Sequence, residues 1–493
     1  MDLAVLSAWT QRAPALVPLL AMLTAAGCLA LRRGRILDAH RRGARVLDGR
    51  RAQRHARGLQ RRYAEGPLLL AGVAIPARDE SRHFKLIGTT GTGKSTAIAG
   101  LMAGALRRGD RVVVTDPDGG YLGRFHQRRR GDVILNPIEP ESARWDPFAE
   151  LGERWDVDQL ASGLIPTSDD PSGREWRGYA RTFVTALTRR CHECGERDPA
   201  ELWRLLTVAS SSELRPMAAG TAAQPFLEPE NARMFGSIRS VTASAVAALE
   251  HLQAQRGRPF SVRSWVRGGR GVLFMPYRAS QIAALRSIIA TWVRLAIFEA
   301  MRSAGEDQRL WFVVDELDAL GQIDGLKDAL ARLRKFGGRC VLGFQSVAQV
   351  SATYGAGEAQ TLVENCGSTL ILRCAGSEHG GTSQFASRLI GEREVLRTSI
   401  SRSQRPFELL PVINRSENSG VEAAVMASEI EQLPDLAGYL KLASRREWLQ
   451  VRLSRPTPER EVQCPPPGNP EVARQAGACA DVAHHAPTGF GLE

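Results

Sequence analysis

Gly88-Thr-Thr-Gly-Thr-Gly93-Lys94-Ser95 fills every defined position of the pattern G-x-x-x-x-G-K-[ST]. An apolar stretch, His83-Phe-Lys-Leu-Ile-Gly88, reads as a strand before it. Thr96 to Arg107 reads as a helix after it. The glycines let backbone N–H groups turn inward around a phosphate, and the helix N-terminus adds a favourable dipole. On this reading Gly88, Thr89, Thr90, Gly91, Thr92, Gly93, Lys94, Ser95 and Thr96 form a nucleotide cradle. Lys94 reaches the β- and γ-phosphates, and the Ser95 hydroxyl ligates Mg²⁺.

Outward from this loop the pattern is strand, helix, strand. Pro67–Pro76 is too short to span a membrane and reads as an edge strand or hairpin. Arg111–Asp116 is an apolar run ending in an acid, as a buried parallel strand does, and Asp132–Asn136 is another. From about Trp145 to Pro259 β-branched runs vanish and helical periodicity takes over, predicting an all-helical domain inserted at 150–262. Strands return at Gly271–Pro276, Leu310–Asp315, Arg339–Gln345 and Thr369–Arg373. A helix over Ser280–Arg302 carries the stripe Ile282, Leu285, Ile289, Trp292, Ala296. The fold class is α/β, with a nucleotide-binding domain in two parts, 67–149 and 263–460.

Leu310-Trp-Phe-Val-Val-Asp315-Glu316 is an apolar strand ending in paired acids. Downstream of a phosphate loop, Asp315 is placed to hold Mg²⁺ and Glu316 to polarise an attacking water. Gln345 ends the following strand, where its side chain can sense a γ-phosphate or orient water. Asp116, in Asp116-Pro-Asp118-Gly119, ends the second strand on the same carboxyl edge, where open α/β sheets bind ligands. It reads either as a contact to metal-bound water or as turn chemistry. A lone phosphate-loop site is slow without a cation supplied at the transition state. Arg373 at a strand end is the candidate taken forward, ahead of Arg388 and Arg393 in a following helix-like segment. Arg332, Arg334, Lys335 and Arg339 surround Phe336-Gly-Gly338, which reads equally as a phosphate-contacting loop or a solvated helix end.

The net charge of +12 is concentrated. Residues 32–62 hold twelve Arg against Asp38 and Asp48, so 12 − 2 = +10, leaving about +2 for the rest. Before that cluster, Ala13–Leu31 is 19 residues without a charge, enough to span a bilayer. The order, apolar segment then charges, favours an uncleaved anchor over residues 1–31 with the body in the cytoplasm. Residues 32–66 then read as a basic juxtamembrane linker along anionic headgroups. The cysteines are expected to stay reduced there, and the lone pair in Cys191-His-Glu-Cys194 closes a helix rather than holding zinc. The Pro-rich tail, 461–493, reads as disordered.

Together these segments resemble the type IV coupling proteins of bacterial conjugation, the TraD-like group, from His83 to about Leu440. The resemblance rests on the phosphate-loop segment, on Asp116-Pro-Asp-Gly-Gly120, and on Ile134-Leu-Asn-Pro137 with Trp145-Asp-Pro-Phe148. It is most specific over Asp315-Glu-Leu, Leu333-Arg-Lys-Phe-Gly337, Gly343-Phe-Gln-Ser346 and Tyr354-Gly355, and Gly391-Glu-Arg-Glu394 also fits. It implies a RecA-like P-loop motor with a mostly parallel sheet, an inserted all-helical domain and an N-terminal membrane anchor helix. It also implies ATP and Mg²⁺ as cofactors and a homo-hexamer at the bacterial inner membrane. The partners would be single-stranded DNA, its relaxase and a type IV secretion channel. That family has two N-terminal spans, whereas this sequence offers one. Two readings share the core: a chromosome-type double-stranded DNA pump, and a nucleotide-binding adaptor that recruits substrates without moving DNA.

Overall fold

The computed structural model describes residues 39–63, 68–167, 170–302, 309–378, 380–403 and 412–454. The expected anchor over 1–31 and the tail over 461–493 lie outside them. Among the described residues no helix is long and apolar enough to cross a membrane.

A ten-stranded sheet organises the chain. From edge to edge its strands are Arg45–Leu47, Glu447–Arg452, Ala437–Lys441, Ser368–Ile371, Phe84–Ile87, Arg339–Phe344, Leu310–Val314, Arg111–Pro117, Val272–Tyr277 and Val133–Ile134. Every neighbouring pair is parallel except the two made by Ala437–Lys441, which runs against the rest. The central strands are buried along their whole length, which is why they read as unbroken apolar runs. The phosphate-loop strand lies beside the Gln345 strand, and that strand separates it from the Asp315 strand. Leu69–Leu70 and Val73–Ala74 form a hairpin. Its two turn residues, Ala71 (φ 51) and Gly72 (φ 75), are both left-handed, the geometry of a two-residue hairpin loop.

The stretch after Trp145 is helical: Asp156–Leu164, Pro171–Glu193, Pro199–Thr207, Ser211–Ala218 and Ala232–Val246. Its two ends are tied together. Arg144–Trp145 pairs with Pro259–Phe260, and the buried Glu150 carboxylate gathers four donors across the junction. These are Trp145 Nε1 (2.8 Å), Ser261 Oγ (2.9 Å), Val262 N (2.6 Å) and Arg263 N (3.1 Å). Burial pushes the Glu150 carboxyl up, and these hydrogen bonds oppose the shift. Arg263, itself buried, joins Asp156 of the first helix to Glu299 of helix Ile282–Arg302.

Helix Ile282–Arg302 departs from the one-sided stripe. Leu285, Ile289, Trp292 and Ala296 are buried as expected, but so are Ile288, Val293, Leu295 and Ile297. It is covered on several sides because a single apolar core runs from one face of the sheet through it into the helical stretch.

The linker reading of 32–66 needs correction over 39–62. Ala39–Gly43 pairs with the base of Glu392–Ser403, and Arg45–Leu47 is an edge strand of the main sheet. Helix Gly49–Arg62 buries Ala52 and Leu59. Two small apolar anchors suffice to seat a helix whose remaining face is arginine in water. Glu392–Ser403 and Val412–Ala423 form a long hairpin, so Arg393 lies on a strand and not in a helix-like segment; it pairs with Glu422 at 2.9 Å.

Trp292, 1% exposed, meets Trp145 edge to face at 5.6 Å where the helical stretch joins the sheet core. Trp292→Ala is expected to cost about 3–5 kcal/mol, read as a lower urea midpoint. A midpoint unchanged from the parent would show that the two parts do not share this core.

Candidate functional site

The carboxyl ends of four strands converge around the phosphate loop. Gly91 (φ 77) and Gly93 (φ 114) are left-handed, which other residues adopt only with strain. Gly93 is also held tight: a Cβ there would lie 2.8 Å from Leu436 Cδ2. Two backbone bonds brace the loop from the neighbouring strands. Thr89 N donates to Arg373 O (2.9 Å), and Leu436 N donates to Thr92 O (3.0 Å). The helix begins at Lys94, two residues earlier than the sequence reading, so that the loop N–H groups and the helix start are continuous.

Lys94 is buried and donates to the Gly88 carbonyl at 2.6 Å. Burial lowers its ammonium pKa, opposed by the charges of Asp315, Glu316 and Asp318. Ser95 Oγ donates to Asp315 Oδ2 at 3.0 Å. A residue not anticipated from the sequence shares that oxygen: the Tyr121 hydroxyl donates to it at 2.7 Å. Burial, then the Asp315 charge, holds the Tyr121 hydroxyl well above its ordinary pKa, so it stays a donor. Asp315 Oδ1 is buried without a hydrogen-bond partner. Gly343 makes the room for it, since a Cβ there would stand 2.7 Å from that oxygen.

Glu316 sits at φ 62, ψ 64, a left-handed conformation rare for a residue with a side chain and costly to hold. The turn swings its carboxylate toward Gln345, whose Nε2 donates to Glu316 Oε1 at 2.8 Å. Gln345 Oε1 in turn accepts from Thr90 Oγ1 at 2.9 Å. A continuous chain therefore links the acid after one strand, the amide after the next and the phosphate loop. Burial raises the Glu316 carboxyl pKa, and the Gln345 hydrogen bond lowers it.

Asp116 is fully buried and accepts from Tyr121 N (3.0 Å) and Leu122 N (2.6 Å). Its carboxylate caps the turn that presents Tyr121, which decides between its two sequence readings in favour of turn chemistry. Burial pushes its pKa to about 6.

The other cations divide. The Arg373 guanidinium pairs with Asp435 at 2.6 Å, and its backbone carbonyl is what braces Thr89. Arg388 is exposed on helix Gly381–Ile390. Arg332, Arg334 and Lys335 are exposed at the opposite, amino edge of the sheet, whereas Arg339 is bound to Glu80 (2.9 Å) and stacked near Trp311. Among the described residues no His, Cys, Asp and Glu group forms a separate metal cluster. Cys194 caps helix Pro171–Glu193, as read from the sequence, and the five described cysteines are free.

The residues fit a hard divalent cation. Asp315 Oδ1 is an orphaned buried acceptor, Ser95 supplies a hydroxyl beside it, Glu316 and Asp318 add negative charge near Lys94, and Asp116 lies near Asp315. The carboxyl-edge cradle and the paired acids define a P-loop nucleotide-binding α/β protein.

Comparison with known proteins narrows the class. A family model described as the type IV secretion-system coupling protein DNA-binding domain matches residues 67–454. The chain belongs to the type IV secretion-system coupling protein family, as its motifs implied. It is similar to coupling protein TraD of Escherichia coli strain K12, 31% identical over 398 residues, which cover 78% of this chain and 54% of TraD. It is also similar to conjugal transfer protein TraG of Escherichia coli, 24% identical over 71% of this chain and 62% of TraG. The chain thus spans between half and two thirds of these curated relatives. Among solved structures, unbound bacterial conjugative coupling protein TrwBdeltaN70 matches with a TM-score of 0.77 and 31% identity, over 86% of this chain and 96% of that one. Plasmid coupling protein TrwB in complex with ADP and Mg²⁺ matches with a TM-score of 0.75 and 30% identity, over 87% and 96%. The mostly parallel sheet and RecA-like motor fold follow from that likeness.

Tyr121→Phe leaves Asp315 Oδ2 with Ser95 alone. The expected result is about a 10-fold higher Mg²⁺ concentration for half-maximal binding of a fluorescent nucleotide, with metal-free binding unchanged. An unaltered Mg²⁺ titration would remove Tyr121 from the site.

Proposed function

We propose that the chain is a membrane-anchored, ATP-driven DNA translocase. It recruits relaxase-bound single-stranded DNA and delivers it to a type IV secretion channel during conjugative transfer. The observation that carries the motor reading is the Thr90–Gln345–Glu316 chain, which ties a strained acid to the phosphate loop through one amide. TrwB, which the chain resembles over most of its length, is described with ADP and Mg²⁺ and with non-hydrolysable ATP and GTP analogues. That supports nucleotide and Mg²⁺ use here, with ATP as the proposed fuel.

In this reading Gly88 to Thr96 hold the phosphates, and Lys94 exchanges its bond to Gly88 O for phosphate oxygens. Ser95 and Asp315 would hold Mg²⁺, which neutralises phosphate charge when bound. Glu316 accepts the proton of the attacking water. Gln345 holds Glu316 in place and reports the state of the loop through Thr90. Arg373 is the proposed cation for the transition state and must first leave Asp435. The family's homo-hexamer would place neighbouring copies around a central strand. The inner membrane is the proposed location, with residues 1–31 as anchor, and 150–262 are the proposed substrate-facing insertion between 67–149 and 263–460.

The test is nucleotide hydrolysis by the full chain in detergent, with ATP or GTP, alone, with single-stranded DNA and with duplex. ATP turnover should rise with single-stranded DNA. Lys94→Ala should abolish nucleotide binding, and Glu316→Gln should keep binding while turnover falls by about 100-fold or more. Slow turnover indifferent to DNA and to both substitutions sinks the motor reading. Equal stimulation by duplex would favour a double-stranded DNA pump.

The pH profile supplies a separate check. Glu316 must be ionised to take a proton, and burial raises its pKa above the ordinary 4.5. Turnover should therefore fall as pH drops through that raised value, with the acid limb above 4.5. Gln345→Ala removes an interaction that favours the charged carboxylate, so the limb should move further up. A limb that stays put would separate Gln345 from Glu316.

A further inference from the structure

A second polar pocket, of about 570 Å³, opens in the helical stretch between helix Asp156–Leu164, helix Pro171–Glu193 and residues 220–222. None of its lining residues belongs to the nucleotide site. Arg181, Thr185 and Arg189 reach it from one face of the longer helix, four residues apart. With Arg154 and Arg190 they bring four arginines to a wall holding two acids, Asp158 and Glu193, so 4 − 2 = +2.

The acids do not quench these cations. Arg189 reaches Asp158 only at 3.5 Å and Arg190 reaches Glu193 only at 3.7 Å, with both carboxylates more than half exposed. Such pairs are weak in water. Arg181 donates to the Thr167 hydroxyl and has no carboxylate partner among the described residues. The Nε groups of Arg181 and Arg189 are shielded from solvent and lack an acceptor, an arrangement that costs free energy until an acceptor arrives. Arg190 is fixed by its bonds to Met217 O (3.2 Å) and Ala219 O (3.0 Å), so the wall is partly set beforehand.

We propose that this pocket binds a phosphate-bearing ligand. Guanidinium forks match phosphate oxygens in pairs, and the +2 surplus suits one phosphate dianion or two phosphodiesters. A volume of about 570 Å³ exceeds a single phosphate and accommodates a nucleotide unit. The shared chemistry has two sources: the backbone of a nucleic-acid strand, or a free polyphosphate. The strand source rests on the DNA-translocation reading, and the polyphosphate source does not.

The experiment uses the full chain carrying Lys94→Ala, which removes competition from the phosphate loop, with and without Arg181→Gln plus Arg189→Gln. The probes are a fluorescent oligothymidylate, by anisotropy across a salt series, and inorganic pyrophosphate, by thermal shift. For a strand, the double change should weaken oligonucleotide binding about 10-fold and reduce the salt slope by about 1.4. For a free polyphosphate, the pyrophosphate-induced shift should vanish while oligonucleotide binding holds. If both probes behave as in the parent, the proposal is overturned. In the chain with Lys94 intact, undiminished binding of fluorescent ADP shows that the variant is folded. The paired lysine variant guards against misfolding: it keeps the charge, so it should restore the salt slope but not the full affinity. Full affinity with lysines would also overturn the forked phosphate contact.

Discussion

Asp315 is the constraint around which the site is built. One of its oxygens takes two hydroxyl donors, from Ser95 at the start of the phosphate-loop helix and from Tyr121 after the neighbouring strand. The other is buried with no partner. A carboxylate in that condition is costly unless a cation comes to it. Its surroundings are shaped to keep it so: Gly343 leaves space for the bare oxygen, and Asp116 caps the turn that aims Tyr121.

The parallel sheet makes this convergence possible. Four adjacent strands deliver Gly88, Gln345, Glu316 and Asp116 to one edge, with the Gln345 strand in the middle. A single amide can then bridge acid and loop, accepting from Thr90 and donating to Glu316. The strained Glu316 backbone is held by buried strand on one side and a packed 3-10 turn on the other. A change at the phosphate loop thus has a short, hydrogen-bonded route to the Glu316 carboxylate.

The helical stretch is coupled to this machinery by burial. Glu150 closes its two ends together, Arg263 ties its first helix to Ile282–Arg302, and one apolar core continues across the junction. Such a junction transmits motion as a rigid body better than a flexible linker does. The arginine pocket opens between that same first helix and helix Pro171–Glu193, so the coupling reaches one of its walls directly.

The phosphate loop, the Asp315–Glu316 strand end, the parallel strands and the helical insertion were legible in the sequence. Each is a local pattern: glycines that permit left-handed turns, unbroken apolar runs, or helical periodicity. Gln345 was legible as a strand-end polar group, though not as a bridge to Thr90, because that contact spans 255 residues. Tyr121 carried no local signal, since its role depends on a carboxylate 194 residues away. The structure of 39–62 was hidden for the opposite reason. Twelve arginines dominate its neighbourhood, and only a few scattered apolar residues, such as Val46, Leu47, Ala52 and Leu59, seat the segment. Arg373 looked like a free cation until the chain brought Asp435 beside it. Sequence alone determined which elements form and which edge carries chemistry, because those follow from residues near one another. Only the tertiary structure decided which polar groups are paired and which are left open, because burial and long-range packing set that balance.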